Sequence, residues 1–155
     1  MAKIFEWIGG SDLDQVTGTQ ETNTDVAYVQ SEKGMAGLFN GISSNIGLIS
    51  SITQSIGSYE FWFKTNIADV DITQGITGHT GTVMHITNNT SFNVEFDNTI
   101  NSVFNGISQS LIGEWIHMVI VHDGDNLILY LNGILESTNT GVLGYLYTTA
   151  YIGSP

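Results

Sequence analysis

The sequence predicts an all-β fold, a single antiparallel β-sandwich, and three observations carry that expectation. Charged residues make up only 12% of the 155 residues, about half the ~25% usual in globular domains. The polar surface is therefore built from Ser, Thr, Asn, Gln and Gly, which suits strands and turns better than surface helices rich in Glu and Lys. Apolar residues recur at a period of two in several short segments, with no convincing helical period. Turn residues separate those segments at short intervals, as in sandwiches and barrels.

The clearest segment runs from Gly113 to Glu136. Its first strand spans about Trp115 to His122, with Trp115, His117, Val119 and Val121 on one face and Ile116, Met118, Ile120 and His122 on the other. Both faces are largely apolar, so cover on both sides is expected. The second strand, about Leu127 to Asn132, sets Leu127, Leu129 and Leu131 against Ile128 and Tyr130. Asp123-Gly124-Asp125-Asn126 joins them, four residues suited to positive φ and side-chain-to-backbone turn bonds. Asn132-Gly133 offers a second turn into Ile134-Leu135.

The other elements follow in chain order. Residues 1–25 form an N-terminal arm or linker that could add an edge strand, and 26–155 the sandwich. Within the arm, Lys3 to Ile8 alternates as a strand or as an arm anchored by aromatics, while 9–25 is polar and reads as loop. Short strands follow at Val26 to Gln30, Ala36 to Asn40 and Ile46 to Ile49. Residues 50–58 read as loop, with room for one helical turn. Tyr59 to Asn66 is a strand with Tyr59, Phe61 and Phe63 on one face and Glu60, Trp62 and Lys64 on the other. Residues 67–80 read as loop. Gly81 to Thr87 and Ser91 to Asp97 form a hairpin about Asn88-Asn89-Thr90. Phe-Asn-Gly-Ile-Ser occurs at both Phe39 and Phe104, one turn chemistry used twice rather than a repeat architecture. Trp62 and Trp115 lie in strands and are expected in the core.

Four segments, in order, carry a resemblance: Gly34 to Gly41, Tyr59-Glu-Phe-Trp-Phe-Lys-Thr65, the Trp115-x-His117 to Gly133 hairpin, and Ala150-Tyr-Ile-Gly-Ser154. Together the stretch from 34 to 154 resembles the laminin-G-like, concanavalin A-type jelly-roll domains. The resemblance implies a jelly-roll sandwich. It leaves function open, because that sandwich hosts enzymes, lectins, adhesion modules and virion proteins. In the family the Tyr-Ile-Gly strand is usually followed by a closing segment. Here the sequence ends at Pro155, so Lys3 to Ile8, a neighbouring molecule or an open edge is expected in its place.

Composition narrows the function. Net charge is −12, with three lysines and no arginine. A nucleic-acid partner needs a basic footprint that this chain lacks, and anionic membranes are disfavoured likewise. No apolar run is long enough for a transmembrane helix, and the N-terminus does not read as a signal peptide. The absence of cysteine excludes disulfides and thiol chemistry.

Catalysis is not expected. Glycosidases of the resembling fold share a Glu-x-Asp-x-x-Glu strand whose carboxylates act as nucleophile and acid. The nearest run here, Asp69-Val-Asp71, lacks both glutamates. His122-Asp123 are adjacent without a Gly-x-Ser-x-Gly and read as a solvated turn. His117 reads as structural, and His79 and His85 lack the spacing of a zinc site. Calcium is the ion the resemblance admits, held by loop oxygens. Asp12/Asp14, Asp69/Asp71 and Asp123/Asp125/Asn126 are the candidates, with Asp69 and Asp71 favoured.

For sugar binding, an exposed aromatic with polar groups at loop tips is needed. Tyr145, Tyr147 and Asn126 are the candidates. The expected role is a non-catalytic virion surface module, a phage capsid-decoration, head-fibre or tail-associated protein. It would act through contacts with other virion subunits or with itself as a homo-oligomer, and with cell-surface glycans. Ile4, Phe5, Trp7 and Ile8 would form an assembly arm. The first alternative is a carbohydrate-binding module of a bacterial secreted or surface protein. The second is a glycoside hydrolase or lyase.

Overall fold

The computed structural model of the chain describes residues 22–40, 45–47, 53–54, 56–66, 70–74, 82–96, 100–141, 146–147 and 151–153. Every regular element among them is a strand. In order these are β1 (Thr22–Thr24), β2 (Ala27–Ser31), β3 (Gly34–Leu38), β4 (Asn45–Gly47), β5 (Thr53–Gln54), β6 (Gly57–Phe63), β7 (Val70–Gln74), β8 (Thr82–Asn88), β9 (Ser91–Phe96), β10 (Ile100–Asn105), β11 (Ile116–His122), β12 (Asn126–Leu131), β13 (Ile134–Thr140), β14 (Leu146–Tyr147) and β15 (Tyr151–Gly153).

Two antiparallel sheets form the sandwich. The larger has seven strands in the order β1-β4-β15-β7-β8-β9-β10, and the smaller has four, β13-β12-β11-β6. β2 and β3 make a separate hairpin, and β5 pairs with β14. Side chains from both sheets meet in one core. Met84, Ile86, Phe92 and Phe104 come from the larger sheet, and Met118, Ile120, Leu127, Leu129 and Leu131 from the smaller. All nine are fully buried, each worth about 1.5–3 kcal/mol of burial. Phe92 and Phe104 are cross-strand partners whose rings stack at 6.4 Å.

The alternation in β6, β11 and β12 sets the inward faces. Ile116, Met118, Ile120 and His122 of β11 are buried, while His117, Val119 and Val121 between them are half-buried. Cover is thus complete on one face of β11 and partial on the other. Tyr59, Phe61 and Phe63 of β6 pack on the core as the period of two requires.

The segment from 106 to 115 crosses from β10 to β11 and closes one end of the sandwich. Its Ile107 and Leu111 are buried, and backbone bonds hold it to the β8–β9 turn: Ile107 N to Thr90 O at 3.0 Å and Leu111 N to Asn89 O at 3.1 Å. Gly113 N donates to Thr65 O at 2.8 Å, tying the same segment to the end of β6.

The structure corrects several expectations. Residues 67–80 were expected as loop, yet Val70–Gln74 is β7, inside the larger sheet between β15 and β8. Its ladder to β8 is interrupted by a register shift between Asp71 and Thr73, and its sequence carries too few apolar residues to show a buried face. Thr22–Thr24, expected within the 9–25 loop, forms β1 at the sheet edge opposite β4. Thr53–Gln54 pairs with Leu146–Tyr147 rather than forming loop or helical turn. β1 and β5 find their partners far away in sequence, as β7 does on its β15 side, so no local pattern announces these strands.

Two side-chain expectations also change. His122 is fully buried rather than part of a solvated turn, because it continues the inward set of Ile116, Met118 and Ile120. Trp62 is 47% exposed rather than in the core, because it belongs to the outward set of β6.

Candidate functional site

The outer face of the four-stranded sheet is laid out by its register. Trp62 of β6 lies opposite His117 of β11, and Glu60 lies opposite Val119. Val119 in turn lies opposite Tyr130 of β12, and Tyr130 opposite Leu135 of β13. Four strands therefore present Trp62, Glu60, His117, Val119, Tyr130 and Leu135 on one continuous surface.

At one end of it the His117 ring stacks on Trp62, with centroids 4.9 Å apart and planes 27° from parallel. His117 Nε2 lies 2.9 Å from Glu60 Oε1. An ionised carboxylate only accepts, so Nε2 carries the proton of this bond. Their side chains are 23% and 68% exposed respectively. The Lys33 ammonium sits 4.3 Å from the centroid of the Trp62 ring, within the range of a cation–π contact. The Trp62 ring thus carries an imidazole stacked on it and an ammonium over it, with the Glu60 carboxylate bonded to that imidazole, and all three groups can bond hydroxyls.

Each of these groups has a local cause. Lys33 is at the tip of the β2–β3 hairpin, where Ser31 pairs with Gly34. Gly34 adopts a φ of 102°, which favours glycine. Ser31 Oγ accepts from Lys33 N at 3.1 Å and donates to Gly34 O at 2.7 Å, fixing the tip. His117 is held by Asn132. Its backbone N donates to Asn132 Oδ1 at 3.0 Å, and its carbonyl accepts from Asn132 N at 2.8 Å. Asn132 and Gly133 have φ of 50° and 80°, the two left-handed positions of a type I′ hairpin turn.

The same asparagine extends the network. Asn132 Nδ2 donates to Gln109 Oε1 at 2.7 Å, and Gln109 Nε2 donates to Leu131 O at 2.9 Å and to Glu136 Oε1 at 2.8 Å. Ser108 gives Glu136 two more bonds, from N to Oε2 and from Oγ to Oε1, both at 2.8 Å. The ladder steps from Leu129–Ser137 to Tyr130–Leu135, so Glu136 is the extra residue of a bulge. A bulge re-aims a side chain in this way. Burial works against the Glu136 carboxylate, but the bonds from Gln109 and Ser108 outweigh it and hold its pKa below the ordinary value.

The residues singled out from sequence fall elsewhere. The side chain of Asn126 is committed to the β11–β12 turn, donating to both carboxylate oxygens of Asp123 at 3.1 and 3.0 Å. Asp123 Oδ1 also accepts from Asp125 N at 3.1 Å and Asn126 N at 2.8 Å. The bonds from Asn126, side chain first, lower the Asp123 pKa. Tyr147 lies in β14 and Asp71 in β7, opposite His85. Ile4, Phe5, Trp7, Ile8, Asp69 and Tyr145 lie outside the described residues. Among the described residues no group of three or more His, Asp or Glu side chains is placed to hold a metal ion. Trp62 was missed as a site residue, although Glu60 and Lys64 on its own strand face marked that face as outward.

Comparison with known proteins places the fold. A laminin-G-type family model, described as the concanavalin A-like lectin/glucanases superfamily, matches residues 39–154. The chain belongs to that superfamily. No curated protein matches it by sequence. Among solved structures it is similar to domain 4 of AbnA, a GH43 extracellular arabinanase from Geobacillus stearothermophilus, in complex with arabinotriose. The TM-score is 0.60 at 16% identity, covering 92% of this chain and 82% of that one. It is also similar to a botulinum neurotoxin type C structure described by that toxin's interaction with two ganglioside molecules. There the TM-score is 0.55 at 14% identity, covering 92% of this chain and 40% of the toxin chain. The carbohydrate-binding module CBM66 from Bacillus subtilis matches with a TM-score of 0.49 at 15% identity, over 84% of this chain and 88% of that one. At these identities the first two likenesses speak to the fold alone, an antiparallel jelly-roll sandwich.

Proposed function

We propose that the chain is a non-catalytic glycan-binding module whose sugar contacts centre on Trp62. The observation that carries this reading is the 47% exposure of a tryptophan on a sheet face, with His117 stacked on its ring, the Lys33 ammonium over it and Glu60 bonded to the imidazole. A sugar ring offers an apolar C–H face for the indole and equatorial hydroxyls for the surrounding donors and acceptors. Two of the structurally similar proteins are described with carbohydrate ligands, arabinotriose and gangliosides, which agrees with the reading. A hydrolase needs two carboxylates facing each other across about 5–9.5 Å. Beside Trp62 the described residues of the sheet present Glu60, and its carboxylate is bonded to His117.

Electrophoresis through gels containing soluble arabinan, xylan, mixed-linkage β-glucan or mannan tests the reading. At least one polysaccharide retards the wild-type chain, and Trp62→Ala removes the retardation while keeping the thermal transition. Equal retardation of both proteins, or none of either, overturns it.

A second reading, a virion surface module made of several copies, rests on a different observation. Ile134 and Leu135 at the start of edge strand β13 are 59% and 56% exposed, apolar surface that another copy could cover. On this reading the module stands on a particle exterior, where the net charge of −12 favours solubility. Light scattering separates the two: a closed oligomer supports this reading and a monomer removes it.

A further inference from the structure

We infer that the ligand is the interior of an uncharged glycan chain, laid across β6, β11 and β12 from Trp62 to Tyr130, rather than a terminal sugar or an acidic one. The inference rests on the glycan-binding reading and names the ligand class.

Trp62 and Tyr130 share the outer face through the register Trp62–His117 and Val119–Tyr130. They are two strands apart laterally and two residues apart along the strand direction. With strands about 4.8 Å apart and a two-residue step of about 6.7 Å, their Cα atoms are separated by about 12 Å. A single sugar ring cannot touch both. Between them lie the His117 ring and Val119, both half-buried, and the described residues of the sheet put no wall across the path. A pocket that selects a chain end needs such a wall. His117 stacking fixes the plane of the Trp62 ring, and the Asn132 bonds fix His117 in turn. The ring plane is therefore set before a ligand arrives, and a sugar that stacks on the indole takes the place of the Lys33 ammonium over it.

Charge selects against acidic chains. Glu60 is 68% exposed and stands about 7 Å along β6 from Trp62, inside the Debye length of about 8 Å at physiological salt. Glu32 adjoins Lys33 at the hairpin tip and offsets its charge. Val119, Tyr130 and Leu135, the described residues that continue this path across the register, carry no charge. A uronate or sialate in the middle of this path would meet Glu60 and the field of a chain with net charge −12. A hydroxyl-only sugar meets bonding partners instead.

The test uses an oligosaccharide ladder, monomer to hexamer, cut from whichever neutral polysaccharide retards the wild-type chain, with polygalacturonate as the acidic comparison. Titration calorimetry reads the affinities. Affinity rises with length until both aromatics are spanned. Tyr130→Ala lowers hexamer affinity about tenfold or more, as for aromatic anchors at other interfaces, and leaves disaccharide affinity near wild type. Tyr130→Phe keeps the ring and most of the affinity, and thermal unfolding checks that both variants fold. Monomer and hexamer binding alike, an unaffected hexamer in folded Tyr130→Ala, or tighter binding of polygalacturonate each overturns the inference. Flat length dependence that still requires Trp62 defeats this inference alone. Loss of every glycan interaction in the wild-type chain defeats the proposed function with it.

Discussion

Trp62 and His117 face each other across β6 and β11 with their rings stacked at 4.9 Å, and the imidazole Nε2 is bonded to Glu60, also on β6, at 2.9 Å. Neither residue is in the core, yet each has a defined plane. A defined aromatic plane at the surface is what a sugar-binding platform requires and what a merely solvated side chain lacks.

Replacing His117 by Ala removes the stack and the bond to Glu60. Cross-strand aromatic pairs contribute about 0.5–1.5 kcal/mol, so His117→Ala lowers stability by about 1 kcal/mol. Urea unfolding measures it. The same variant weakens polysaccharide retardation, because Trp62 loses its backing; undiminished retardation would show that the stack does not orient the platform.

The type I′ turn is the next point of control. Gly133 has a φ of 80°, where any L side chain costs about 1–2 kcal/mol. Gly133→Ala therefore lowers stability by about that much, although nothing lies near an added Cβ. Asn132→Ala loses in addition the bonds to His117 and Gln109 and falls further. Thermal unfolding of the two variants gives the order.

Acid weakens the fold through Glu136 and Asp123. The ordinary pKa of Glu136 is 4.5 and that of Asp123 is 3.8, and both are lowered in the folded chain. The unfolded chain therefore binds more protons in acid, and stability falls as pH drops through the folded values. Above 4.5 the Glu136 contribution is complete. Glu136→Gln shifts the urea midpoint at neutral pH and flattens its decline in acid; an unchanged acid limb would assign the decline to other carboxylates.

Phe104→Ala removes a fully buried ring that stacks on Phe92. Core deletions of this size cost about 3–5 kcal/mol. Circular dichroism on heating shows either a large drop in the transition or an unfolded chain.

How far the sequence foretells this molecule depends on where each strand finds its partner. β6, β11 and β12 alternate strictly, and their turns carry Asp-Gly and Asn-Gly, so both faces and both hairpin connections are readable from local residues. β7 is Val-Asp-Ile-Thr-Gln, and β1 is Thr-Asn-Thr. Their place comes from ladders to β8, β15 and β4, and a ladder leaves no local trace. His122 and Trp62 fail for another reason. A histidine beside a turn suggests solvent, and a tryptophan in a strand suggests core, but the period of two decides both in the opposite sense. The bulge that turns Glu136 toward Ser108 and Gln109 depends on register alone, which no residue spacing reveals.

The chain has three tryptophans, Trp7, Trp62 and Trp115, so the indole N–H signals in a nitrogen–proton NMR spectrum are few and assignable with Trp62→Phe. Titrating the retarding neutral oligosaccharide into the labelled protein reads the contact at Trp62 itself. The Trp62 indole shifts in a saturable manner, with the Tyr130 and His117 amides moving beside it. A saturable shift elsewhere, with the Trp62 signal unmoved, would contradict it.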